Sequence, residues 1–178
     1  HAQAFRLALD AYRRLPGALD DPAPRRDLCL AAFLQNRAED DGQTFVLRGP
    51  FAGDYACATA LHLEYPNLKQ GESTAVVHAA TVRLAEGVGK AQARGPAEAF
   101  GVWRDGMDAA ATAEAVAGEL EAIYRKAGMP VRLRDLEISR GALPAVAART
   151  VKIFNASGDL TTPEDRIARS LAILERAW

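Results

Sequence analysis

One stretch decides the fold of this chain, residues 54–84, which read DYACATALHLEYPNLKQGESTAVVHAATVRL. Its first half is apolar with isolated polar residues, a pattern typical of a packed helix. Pro66-Asn67 breaks that helix, and Gln70-Gly71-Glu72 opens another with an acid in its first turn, where it complements the exposed N–H groups. The stretch therefore predicts two helices joined by a short turn, at about residues 52–65 and 71–91.

Helical spacing of apolar residues continues on both sides of this pair. We expect further helices near residues 5–15, from 22 onward, and at 112–126, 143–154 and 163–177. Residues 39–50 are expected to form a loop with a short extended piece, and residues 92–111, with several glycines, an irregular crossing. The sequence predicts an all-α fold, a helical bundle of about seven helices forming a single domain over residues 1–178.

Charge and composition exclude several classes of partner. The chain has 22 basic and 23 acidic residues and a net charge of −1, without the clustered basic face that nucleic-acid binding requires. No apolar run is long enough for a membrane span, and no signal-peptide pattern opens the sequence. We therefore expect a cytoplasmic protein without nucleic-acid or membrane partners. Cys29 and Cys57 lie in apolar helical surroundings, which predicts two buried free thiols.

Four segments resemble one known family. They are FRLALDAYRRLPGAL at residues 5–19, QGESTAVVHAATVRLAEGVG at 70–89, KAGMPVRLRDLEISRGALPAVAART at 126–150 and GDLTTPEDRIARSLAILERAW at 158–178. Together they resemble the C-terminal helical domain of the iron-containing alcohol dehydrogenase family, which belongs to the superfamily of dehydroquinate synthase. The resemblance spans nearly the whole chain.

The resemblance implies a parent enzyme with two domains. An N-terminal nucleotide-binding domain, absent from this chain, would hold NAD or NADP, and the helical domain would close the cleft over an alcohol, aldehyde or ketone. No glycine-rich nucleotide loop occurs in these 178 residues, so this chain alone is expected to be inactive. A homodimer is left open.

The same resemblance implies a divalent metal, iron or zinc, held by an aspartate and three histidines. Two of those histidines would fall in this chain, but Gln70 and Ala56 occupy their positions, and Ala60 stands where a further active-site histidine is usual. Glutamine is a poor ligand for transition metals and alanine is none. We therefore expect no metal ligands among these residues.

The remaining candidates are polar groups near the missing ligands. His62 and Gln70 are predicted to be catalytic, orienting the substrate oxygen, since an imidazole suits proton transfer near neutral pH. Asp54, Tyr55 and Glu72 are predicted to bind substrate. Structural roles compete for four of them: His62 bonded to a backbone carbonyl, Asp54 as a first-turn acid, and Gln70 and Glu72 in the turn that opens a helix. His78 is expected to serve in packing.

Two other functions remain open at this point. A non-catalytic binding or scaffold module would keep the bundle and use the interdomain face for a partner protein. A dehydroquinate synthase-like enzyme is the third possibility, because the residues 75–89, AVVHAATVRLAEGVG, are closer to that branch of the superfamily.

Overall fold

The computed structural model describes residues 2–40, 52–85, 90–153 and 162–178. These contain eight α-helices: α1 (Ala2–Arg14), α2 (Pro22–Asp40), α3 (Ala52–Glu64), α4 (Gln70–Arg83), α5 (Lys90–Phe100), α6 (Ala109–Lys126), α7 (Leu143–Thr150) and α8 (Pro163–Ala177). Short 3₁₀ turns follow α1, at Leu15–Gly17, and precede α7, at Leu133–Leu136 and Arg140–Ala142. No strand occurs in the described ranges, so the all-helical prediction is confirmed for them.

Helix α4 forms the centre of the bundle. It packs against α3, α6 and α8, and its buried residues face every direction around the helix. Val76 and Val77 belong to a core shared with α3, α7 and α8. Ala79 and Val82 belong to a second core shared with α1, α5 and α6. Because α4 is apolar almost all round, it can join two cores that would otherwise be separate.

The helix starts follow capping rules that are visible in the sequence. The Oδ1 atom of Asp21 accepts from the backbone N–H of Ala23 at 2.8 Å before α2. The hydroxyl of Thr162 accepts from the N–H of Asp165 at 3.1 Å, with Pro163 in the first position of α8. Each cap satisfies a backbone donor that a helix leaves unpaired at its start. Both predicted starts are confirmed.

The prediction was wrong about the segment after α4. The helix ends at Arg83 rather than near residue 91, and residues 90–100 form α5 although they contain Gly95 and Pro96. Ala97 and Phe100 of α5 are buried in the second core. Their burial stabilises the helix against the cost of an internal proline, which propensity alone does not anticipate.

The predicted end of the helix at residues 143–154 was wrong, and the predicted loop at residues 39–50 is described only in part. Helix α7 ends at Thr150, followed by a turn, rather than continuing to residue 154. The backbone of residues 39 and 40 is helical, as the end of α2, whereas the remainder of the predicted loop, residues 41–50, lies outside the described residues.

The two thiols differ in their surroundings. Both are free, but Cys29 is exposed on α2 while Cys57 is fully buried in α3. The expectation that both are buried was wrong for Cys29, because the buried residues of α2, Pro24, Asp27 and Ala31, lie on the opposite side of the helix. In the part of the chain that the structure covers, no helix combines the length and the apolar character needed to cross a bilayer.

Candidate functional site

One exposed face of α3 carries two of the predicted site residues. Tyr55 and His62 are seven residues apart, about two helical turns, and therefore lie on the same side of the helix. Both are exposed, in contrast to Cys57 and Leu61, which face the core. The face is thus open to a ligand or to another domain.

His62 is held by the turn that leads into α4. Its Nδ1 donates to the carbonyl oxygen of Leu68 at 2.7 Å. Because a carbonyl oxygen can only accept, this bond leaves Nε2 as the acceptor in the neutral imidazole. Gln70 follows two residues after Leu68, begins α4 and is exposed. The imidazole and the amide are therefore attached to the same short turn. The predicted structural alternative, a bond to a backbone carbonyl, is found here, but the side chain is not buried.

Glu72 caps its own helix. Its Oε2 accepts from the backbone N–H of Lys69 at 3.0 Å, immediately before α4. The Ser73 hydroxyl donates to the Gln70 carbonyl at 2.9 Å, which tightens the same turn. The predicted first-turn role of Glu72 is confirmed, while substrate binding by this carboxylate remains a prediction. The side chain of Asp54, also predicted to bind substrate, lies outside the described residues.

Gly71 is where two segments of the resemblance meet. An ideal Cβ on Gly71 would lie 3.6 Å from the Cε of Met129, which belongs to the segment after α6. Gly71 is in the first turn of α4 and is not among the glycines with positive φ. Its backbone therefore needs no unusual conformation, and a Cβ at this position would meet Met129 at an ordinary van der Waals distance.

The donor set does not fit the metal that the resemblance implies. Ala56 and Ala60 are buried methyl groups in α3, and Gln70 offers only an amide. Across the described ranges, no three His, Cys, Asp or Glu side chains come together in a way that could hold an ion. We therefore assign no metal-dependent step to these residues.

A second feature was missed by sequence reasoning. A cavity of about 470 Å³ opens among α1, α4, α5 and α6, and its wall includes His78 of α4. The Nδ1 of His78 lies 2.9 Å from the hydroxyl of Tyr124, within hydrogen-bond distance. The half-buried His78 does contact the second core, as expected, but it also faces this cavity. The only indication of this cavity in the sequence is the frequent alanines of α5 and α6, whose small side chains leave space between packed helices.

Beside the cavity, three arginines surround a buried carboxylate. Glu121 of α6 bonds Arg83 and Arg132, and Arg125 lies 3.3 Å away. Burial would raise the pKa of Glu121, but the hydrogen bonds from Arg83 and Arg132 outweigh it, so the pKa is lowered. The hydrogen bond from Arg83 also lowers the pKa of Glu114. Both groups are therefore ionised at neutral pH, and they compensate the charge of Arg83.

Comparisons with models of protein families, with curated proteins and with solved structures find no match for this chain.

Proposed function

We propose that this chain is the substrate-side helical domain of an NAD(P)-dependent oxidoreductase of the iron-containing alcohol dehydrogenase type. Its substrate would be an alcohol, aldehyde or ketone, and its own residues would act without a metal ion. The observation that carries the proposal is the attachment of His62 and Gln70 to one exposed turn, through the bond from His62 to Leu68.

In this proposal His62 exchanges one proton with the substrate and Gln70 donates one hydrogen bond to it. A bound nicotinamide, held by a domain outside this chain, would supply or accept the hydride. Nε2 of neutral His62 can accept the proton of an alcohol hydroxyl, and the imidazolium can return it to the oxygen in the reverse direction. The amide N–H of Gln70 can donate a hydrogen bond to the same oxygen and stabilise its developing negative charge. Tyr55, on the same face of α3, would border the substrate.

Two further observations support this proposal. Gly71 and Met129 bring together two segments that resemble the family, which is expected if they keep the family's packing. The turn between α3 and α4 is also exposed at Asn67, Lys69 and Gln70, so a second domain could close over it. The resemblance itself remains the source of the reaction type.

The first test is nicotinamide binding. The protein is expressed together with the residues that precede His1 in its gene and titrated with NADH and NADPH, monitoring nicotinamide fluorescence. Saturable binding followed by oxidation of the cofactor with a panel of aldehydes and ketones is expected. Absence of binding would contradict the dehydrogenase proposal. Stoichiometric iron or zinc held by side chains of this chain would contradict its metal-free form.

A pair of variants tests the role of His62. His62→Ala removes both the proton-transfer group and the bond to Leu68, whereas His62→Asn keeps an N–H donor for that carbonyl. Both variants are expected to lower turnover by about 100-fold, because neither has a group able to exchange a proton. His62→Asn should retain the unfolding midpoint of the parent. If it also retained turnover, the role of His62 would be structural only.

One observation favours a second candidate, a protein-binding module. Leu30 and Phe33 are exposed on α2, one helical turn apart, with exposed fractions of 45% and 63%. Apolar side chains grouped on one open face are common at protein interfaces. The nicotinamide titration separates the two candidates, since a binding module would not bind the cofactor.

A further inference from the structure

The cavity among α1, α4, α5 and α6 is open to solvent on one side and has the size of a small-molecule pocket. An apolar cavity of roughly 150 Å³ already admits benzene, and small-molecule pockets begin at roughly 300 Å³. At about 470 Å³, this cavity is wide enough for a compact organic molecule.

The cavity exists because small residues line it. Ala109, Ala110 and Ala113 of α6 and Ala93 of α5 face the space. Alanine favours the helix but leaves the volume of a larger side chain empty. Helices α5 and α6 still pack against each other through other residues, so the cavity does not reflect loosely associated helices.

The mouth of the cavity carries an aromatic pair. Phe5 of α1 lines the space and is also 36% exposed, which places it at the rim. Its ring meets that of Phe100 edge to face, with 5.0 Å between the centroids. Such an arrangement offers aromatic surface to an entering ring.

The polar groups in the wall carry little uncompensated charge. Arg83 donates from Nε to both carboxylate oxygens of Glu114, at 3.0 and 2.9 Å, and it also bonds Glu121. The hydroxyl of Thr112 donates to the carbonyl of Asp108 at 2.6 Å. The other described lining residue with a polar side chain is His78. Apart from these groups, the described wall is apolar.

We propose that this cavity is a binding site for an uncharged, mostly apolar molecule of about the size of a two-ring aromatic alcohol. Its ring system would lie among the alanines of α5 and α6 and the rim phenylalanines. Its single polar group would lie at the side of the wall that carries His78. An anion is disfavoured, because Arg83 already directs its donors to two carboxylates and burying a charge without a partner is costly. The proposal does not depend on the proposed oxidoreductase function.

The test measures binding of 2-naphthol to the full chain by isothermal titration calorimetry. One saturable site is expected. Ala113→Leu places a larger side chain in the cavity and should weaken binding by about tenfold or more. The matched control is Ala111→Leu, at an exposed position of the same helix that does not line the cavity. This control should bind like the parent.

Two further measurements, a thermal midpoint and the binding of a charged analogue, also test the proposal. The thermal midpoint of Ala113→Leu should equal or exceed that of the parent, since filling an apolar cavity does not remove contacts. If this variant fails to fold, Ala109→Leu fills the same space from the preceding turn of α6. Tighter binding of 2-naphthoate than of 2-naphthol would overturn the uncharged class. No binding of either probe, or equal binding by the filled variant, would overturn the site.

Discussion

Glu121 and Arg132 form an ion pair across the turn that ends α6, with 2.8 Å between Oε1 and Nη1. The carboxylate is buried, with 7% of its side chain exposed, and it also bonds Arg83 of α4, whose side chain is 9% exposed. These bonds join the central helix, α6 and the segment that follows it. Removing the carboxylate would leave Arg132 without this partner and would leave the buried Arg83 paired with Glu114 alone.

We expect Glu121→Gln to lower the free energy of unfolding by about 3 kcal/mol, because breaking a buried ion pair leaves an uncompensated charge. The measurement is urea unfolding at neutral pH. Glu119→Gln is the matched control on the same helix, since its pair with Arg13 is partly exposed. The control should cost less than about 1 kcal/mol. Equal losses in the two variants would contradict this account.

Protonation of Glu114 and Glu121 should lower the stability of the fold in acid. The pKa values of Glu114 and Glu121 in the folded protein are lowered from 4.5 by their arginine partners. A group with a lowered pKa stabilises the fold fully above its unfolded pKa, and this contribution is lost as the pH falls through the folded value. We therefore expect the loss below pH 4.5. Urea unfolding at a series of pH values should show a smaller acid loss in Glu121→Gln than in the parent.

The N-cap of α8 provides a third prediction. Thr162→Ala removes the side-chain acceptor for the N–H of Asp165 and should destabilise the protein by about 1 kcal/mol. Thr162→Ser keeps an oxygen in the same place and should retain most of the stability. Thermal unfolding followed by circular dichroism measures both variants. A loss in Thr162→Ser as large as that in Thr162→Ala would show that the cap bond is not the cause.

Two glycines should respond to alanine with opposite signs. Gly71 lies in a helix with ordinary van der Waals space at its Cβ position, so Gly71→Ala should stabilise by about 0.5–1 kcal/mol. Gly128 follows α6 with φ +73°, a conformation unfavourable for residues with a Cβ. Gly128→Ala should therefore destabilise by about 1–2 kcal/mol. Chemical denaturation of the two variants, compared with the parent, decides both signs.

The sequence predicted those features that depend on neighbouring residues. The starts of α2 after Asp21 and of α8 after Thr162, and the end of α6 at Lys126, depend on local sequence, and each was found where expected. Helix α5 was not predicted, because its proline disfavours a helix more strongly than its alanines favour one. The helix forms because Phe100 is buried against other helices. Local patterns do not contain such tertiary contributions.

The same limit applies to the two candidate sites. The proximity of His62 to the start of α4 could be predicted, since only a short turn separates the two helices. The cavity beside His78 could not, because its walls come from four helices whose relative positions are set by tertiary packing. Its volume depends on how those helices are spaced rather than on any single motif.

Because Cys29 is exposed and Cys57 is buried, the reaction rate of Cys57 can report how often the protein opens locally. An aromatic disulfide reagent should modify Cys29 at once, whereas Cys57, fully buried in α3 and adjacent to the Ser170 carbonyl, should react only when α3 and α8 separate. The slow phase of thiol release would thus record how often the two helices come apart. That frequency could be followed without adding any label to the protein.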